Sequence, residues 1–233
     1  MKWNLLFLLV LLVLASCAEP TPAATPETPR YVQVRLPEVR LEGDASLEET
    51  LLRRRSIREY GDEALILEEV SQLLWSAQGV TVEWGGRTAP SAGALYPLEV
   101  YLVVGEVENL APGVYKYKPD GHELIKISDE DVRGELAQAA LGQTSVQDGA
   151  IDIVIAAVYE RTTRKYGDKG VRYVHMEAGH AAQNIYLQAT ALDLGMVTIG
   201  AFNDDRVKEI MGMPENEAPL YVIPVGKTTQ VSS

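Results

Sequence analysis

The sequence predicts an α+β fold in which helices flank a central, mostly antiparallel sheet. Three observations carry this expectation. Residues 151–159, I-D-I-V-I-A-A-V-Y, form a β-branched, nearly unbroken apolar run, as expected of a strand buried on both faces. Residues 113–118 and 123–128 read as two strands joined at Pro119-Asp120-Gly121, a turn sequence that suits a hairpin. Helical and extended segments also succeed one another without the regular βαβ rhythm of a doubly wound sheet.

The elements follow in order. Lys2 and the apolar run of residues 5–15, too short to span a bilayer, read as a signal peptide over residues 1–16. It ends in Leu14-Ala15-Ser16-Cys17, which resembles a bacterial lipobox. Cys17, the only cysteine, is therefore the expected lipidation site. The Pro-rich stretch that follows favours extended backbone, so residues 17–40 read as a tether and residues 41–233 as one folded domain. Ser46 and Glu49 form a capping box that opens a helix, with Leu47, Leu51 and Leu52 expected on its buried side. Residues 67–78 carry apolar side chains at helical spacing and stop at Gly79. Residues 84–97 read as loop, 99–105 as strand, 129–141 as helix, and 173–194 as a long Ala-rich helix buried on several sides. A strand at 196–202, a helix at 204–211 and a strand at 220–225 complete the domain.

The formal net charge is −12 over 233 residues, and no basic stripe runs along the chain, which excludes a nucleic-acid reader. Against that acidic background, Arg53-Arg54-Arg55-Ser56-Ile57-Arg58 is a concentrated anion site: guanidinium forks and a hydroxyl suit a phosphate, though a solvated helix end would also accommodate them. The loop Pro90-Ser91-Ala92-Gly93-Ala94 offers small residues and backbone for close approach of a flat ligand. Its serine lacks the G-x-S-x-G setting of a hydrolase nucleophile. His175 and His180 are five apart and point about 140° from each other on a helix, so no metal site is expected. Lys165-Tyr166, directly after the buried strand, is placed in a loop where a cation beside a phenol could assist proton transfer. Gly200 and Ala201 end a strand with free amides.

In this order the motifs resemble the nitroreductase superfamily, and most closely its SagB-type dehydrogenase branch, which includes the azoline oxidases. They are R-R-S-I-R at Arg54, L-L-W-S-A-Q-G at Leu73, R-T-A-P-S-A-G-A-L-Y-P-L-E at Arg87, P-G-V-Y-K-Y at Pro112, R-K-Y-G at Arg164, E-A-G-H-A-A-Q-N at Glu177, G-A-F at Gly200 and P-V-G ending at Gly226. The resemblance implies non-covalent FMN at a homodimer interface that contains the long helix, with NAD(P)H as a possible electron donor. It places the phosphate on Arg54, Ser56 and Arg58 with Arg55 beside them, the flavin along Pro90, Ser91, Ala92 and Gly93, and amides near the reactive flavin nitrogen at Gly200 and Ala201. Lys165 and Tyr166 fall on the proton-abstracting pair of azoline oxidases. Two departures stand out. Ala94 occupies the place of a substrate-contacting asparagine, and Lys227 is the sole substitute for a basic C-terminal tail. The implied activity is hydride transfer between flavin and a small-molecule or peptide substrate. An NAD(P)H-dependent nitro or quinone reductase and a non-catalytic flavin- or ligand-binding lipoprotein are the alternatives. The signal segment adds an extracytoplasmic, membrane-anchored location, unusual for that branch.

Overall fold

The computed structural model describes residues 32–229. The expected signal peptide, Cys17 and the first part of the tether lie outside the described residues. Eight strands form one sheet, in the order β1 (Gln33–Arg35), β5 (Glu123–Ser128), β4 (Gly113–Lys118), β3 (Leu98–Val104), β6 (Ile151–Ala157), β8 (Ala218–Thr228) and β2 (Tyr60–Gly61), with β7 (Leu194–Met196) also paired to β8. Every pairing between these strands is antiparallel. The α+β class and the mostly antiparallel sheet are those expected from the sequence.

The period-2 alternation of the strands divides the core between the two faces. Ile151, Ile153 and Ile155 of β6, with Val100 and Leu102 of β3, face α2 (Leu67–Gln78) and α6 (Lys169–Ala191). Val154 and Ala156, with Tyr101 and Val103, face α3 (Arg133–Ala139), α4 (Thr144–Asp148) and α7 (Asp204–Ile210). Both faces of the central strand are thus dry, which is why its sequence shows no polar alternation. The exception is Asp152, fully buried, with no hydrogen-bond partner on either carboxylate oxygen.

Four expectations need correction. The tether does not reach Arg40: Gln33–Arg35 adds a strand to β5, Leu36 is buried in the core, and the Arg40 N–H and C=O both bond the Gln72 amide. In α1 (Leu47–Arg53), Ser46 does accept the Glu49 N–H, but Leu47, Leu51 and Leu52 are 60, 53 and 72 % exposed. The sheet face they would cover is already taken by α2 and α6. The expected helix at 129–141 begins only at Arg133, whose N–H bonds the Asp131 carboxylate, and Leu141 leaves the helix at φ 60°. The strand expected at 196–202 shortens to β7 and a single bridge, Ile199 to Val222.

Candidate functional site

The site is laid out along α6, whose side chains meet two groups of residues. At the Tyr186 end, Ser56 Oγ lies 2.9 Å from Tyr186 Oη, and the Thr198 N–H donates to the same phenol oxygen at 3.1 Å. With that N–H accepted, Tyr186 can still give its own proton to Ser56, an arrangement in which the Ser56 hydroxyl is able to donate outward. The Arg54 guanidinium carbon sits 5.0 Å from the Tyr186 ring centroid, a cation–π arrangement that holds the charge beside Ser56. The structure therefore unites Arg54 and Ser56. Arg55 turns back, donating to the carbonyls of Leu52 and Arg54 at the end of α1. Arg58 lines a polar cleft of about 470 Å³ with Tyr60, Arg133 and Asp148. Lys227 is ion-paired with Glu69 rather than presented to this group.

At the other end lies the loop from Arg87 to Pro97. Asn184 of α6 donates to the carbonyls of Ser76 and Thr88, anchoring the loop's entry. Arg87 donates through Nη1 to Gln78 Oε1 at 2.8 Å, stacks 4.6 Å from the Tyr96 ring centroid, and gives its N–H to Tyr96 Oη. The Tyr96 N–H in turn donates to Ser91 Oγ at 2.9 Å. Within this frame Gly93, Ala94 and Tyr96 all have positive φ (65°, 54° and 44°). Backbone strain of this kind persists only where surrounding contacts over-determine it, and it concentrates at functional loops. Gly93 and Ala94 are exposed, and Pro90 stands beside them at the surface.

The Lys-Tyr pair joins this loop. A Cβ on Gly93 would lie 2.7 Å from Tyr166 Oη and 2.8 Å from Lys165 Nζ, so both heads lie against this glycine and a side chain there would displace them. Lys165 and Tyr166 occupy the last turn of α5 (Glu160–Tyr166) rather than a loop; Gly167 then breaks the helix at φ 56°. The Tyr166 ring packs edge-on to Tyr173 of α6, with centroids 5.2 Å apart. Gly200 and Ala201 are exposed just beyond Thr198, and so follow the Tyr186 end in sequence.

Sequence reasoning missed Tyr186 and Arg87 as the organisers of the two ends, and did not see that Glu177 belongs to the site. Glu177 is 2 % exposed on α6, and its Oε1 is buried with no hydrogen-bond partner. Burial pushes its carboxyl up to about 7, against the opposing pull of the Ser91 hydrogen bond and the Arg87 charge. A lone acid within an Ala-rich apolar face was the available signal. His175 is paired with Tyr159 Oη at 2.6 Å.

A donor pair of arginine and hydroxyl at one end and a strained loop of small residues at the other fit an elongated ligand with an anionic tail and a flat head.

Residues 51–227 match the nitroreductase family. A nitroreductase-family protein of Methanocaldococcus jannaschii, MJ1384, is 50 % identical over 196 residues, covering 84 % of this chain and 96 % of its own. An FMN reductase (NADPH) of Bacillus subtilis is 25 % identical over 198 residues, 79 % of this chain and 66 % of that protein. Among solved structures, the Escherichia coli microcin synthetase McbBCD complex with truncated pro-MccB17 bound aligns with a TM-score of 0.65 and 25 % identity, covering 83 % of this chain and 77 % of that one.

Proposed function

Because the chain belongs to the nitroreductase family, we propose that it is an FMN-dependent oxidoreductase that exchanges hydride with a small-molecule or peptide substrate in the manner of SagB-type dehydrogenases. FMN, when bound, supplies the redox chemistry. Arg54 and Ser56 hold its phosphate, the first by charge and the second by a hydroxyl proton that Tyr186 leaves free. The loop from Pro90 to Gly93 supports the ring, and Gly200 and Ala201 offer amides at its far side. Lys165 and Tyr166 take the substrate proton, which goes to Tyr166 Oη as a phenolate and returns it to the neutral phenol, with Lys165 as the neighbouring positive charge. The single observation that carries this reading is the convergence of Lys165 and Tyr166 on Gly93, which puts the proposed base against the flavin-supporting loop.

The protein acts as a homodimer in this reading, with α6 and the exposed leucines of α1 in the interface. Residues 1–16 direct export, and Cys17 carries a lipid that tethers the domain on the extracytoplasmic side of a membrane. A second reading, reduction of FMN by NAD(P)H followed by reduction of a nitro or quinone acceptor, draws on the Bacillus subtilis relative. Purified protein should carry flavin absorbance, and the released flavin should be FMN; a colourless protein that takes up no added FMN refutes both readings. Tyr166→Phe should keep the flavin and lose turnover on substrates that must surrender a proton. Bleaching by NADPH at a rate unaffected by Tyr166→Phe would favour the reductase.

A further inference from the structure

The loop from Arg87 to Pro97 is held at its exit by a residue that the reading above does not use. Tyr96 stands at φ 44° directly before Pro97, a conformation rare for a bulky residue and set where a following proline favours extended backbone. Such strain persists only where contacts over-determine it, and each polar group of Tyr96 is engaged. Its phenol oxygen accepts the Arg87 N–H, its own N–H donates to Ser91 Oγ at 2.9 Å, and its carbonyl accepts Arg161 Nη1 at 3.0 Å. Arg161 belongs to α5, and its other terminal nitrogen, Nη2, donates to Glu99 Oε1 of β3. Glu99 is fixed in turn by Lys116 of β4, 2.9 Å from Oε2. Lys116 also pairs with Glu217, which accepts the Tyr101 hydroxyl proton at 2.6 Å.

A guanidinium is a planar fork with donors at fixed angles, so two acceptors that it bridges are held at a fixed spacing. Here the acceptors are the last loop carbonyl before Pro97 and a carboxylate anchored in the central sheet. Arg161 and Lys165 are four residues apart, one above the other on the same side of α5. α5 therefore meets the loop twice: at its exit through Arg161, and one turn on at Gly93, against which Lys165 Nζ and Tyr166 Oη lie. Gly170 of α6, where a Cβ would lie 2.8 Å from Thr163 Cα, lets α5 sit close to the long helix. We propose that Arg161 is a positioning residue: by bridging the Tyr96 carbonyl and Glu99 it pins the strained loop exit to α5, and so sets where Tyr166 Oη and Lys165 Nζ stand against Gly93. A lysine could replace it only in part, since an ammonium is a compact point charge on a flexible stem and lacks the fork.

The inference rests on the proposed function in one respect, the role given to Tyr166, and the test separates the two. Full-length protein labelled with fluorotyrosine reports each tyrosine by its fluorine resonance, and Tyr60→Phe, Tyr96→Phe and Tyr166→Phe assign three of them by their absence. In Arg161→Ala the Tyr96 and Tyr166 resonances should both shift. Tyr60, on the edge strand β2 with its hydroxyl on the Ile57 carbonyl, should stay where it is. The fold should hold in this variant, because Glu99 keeps its pair with Lys116. Arg161→Lys, which retains the charge and one donor head, should return both resonances part of the way. A Tyr166 resonance that does not move in Arg161→Ala overturns the inference. So does a shift of Tyr60 together with the other two, which would mean a general loosening of the fold. Should Arg161→Ala not fold, a Tyr166 resonance at its wild-type place in Arg161→Lys overturns the inference equally. The expected pattern in a protein that takes up no FMN upholds the placement by Arg161 and refutes the flavin reading instead.

Discussion

Replacing Glu177 by Gln should make the protein more stable, but only at neutral and alkaline pH. The carboxyl titrates at about 7 in the folded protein against an ordinary 4.5, chiefly because it is buried. Between those values the folded state holds a proton that the unfolded state has released. Stability is therefore fully present below the unfolded value and is lost as pH rises through the folded one. A shift of this size is worth about 3 kcal/mol. Gln removes that penalty but leaves an amide N–H₂ to satisfy, a cost of about 1 kcal/mol. The expected balance is a gain of about 2 kcal/mol near pH 8 that shrinks to about zero near pH 5. Urea unfolding of flavin-free protein at the two pH values, with the slope m unchanged, reads it directly. Equal differences at both pH values would mean that Glu177 ionises as a surface acid does, and would refute the reasoning from burial.

Gly93→Ala should cost about 1–2 kcal/mol for its left-handed backbone and displace the Tyr166 and Lys165 heads, so turnover should fall while the far-ultraviolet circular dichroism stays unchanged. Ala94→Asn, at φ 54°, should be neutral or stabilising in thermal melting, because asparagine tolerates that conformation better than alanine does. Asp152 is held protonated by burial well above the ordinary carboxylate range, so wild-type stability should decline as pH rises through that raised value; Asp152→Asn should flatten the alkaline limb of a melting-temperature profile. Leu51→Glu with Leu52→Glu should convert the proposed dimer to monomer in sedimentation with little change in monomer folding, since both side chains are exposed.

The sheet and its long helix were legible because burial leaves a periodic mark. Residues 151–157 are apolar on both alternations, as a strand covered on both faces must be, and the α2 pattern of Val70, Leu73, Leu74 and Ala77 matches its observed buried side. The same logic failed for α1. A capping box fixes where a helix starts, through Ser46 and the Glu49 N–H, but says nothing of which side finds a partner. Leu47 and Leu51 share a helical face as core residues would, yet α2 and α6 already fill that side of the sheet. Boundaries slipped wherever a left-handed residue ended an element: Leu141 after α3, Asp193 after α6, Gly167 after α5. Two of these three are not glycine, so composition gave no warning. The Lys165-Tyr166 pair was found in sequence but misplaced in a loop, because an adjacent strand end was taken for the start of irregular chain rather than of a helix of about two turns.

The motifs could be located in the sequence, but what joins them could not. Tyr186 reads as one more apolar position of α6, yet its phenol ties Ser56 to Thr198 and its ring carries Arg54. Arg87 reads as the first letter of a loop, yet it fixes Tyr96, which fixes Ser91. Asn184 of α6 donates to the carbonyls of Ser76 and Thr88, so the entry of a loop with three residues at positive φ is held from the helix. That lets small residues such as Ala92, Gly93 and Ala94 be kept in place without large side chains of their own, and it leaves Lys165 and Tyr166 of α5 as the side chains that lie against the loop at Gly93.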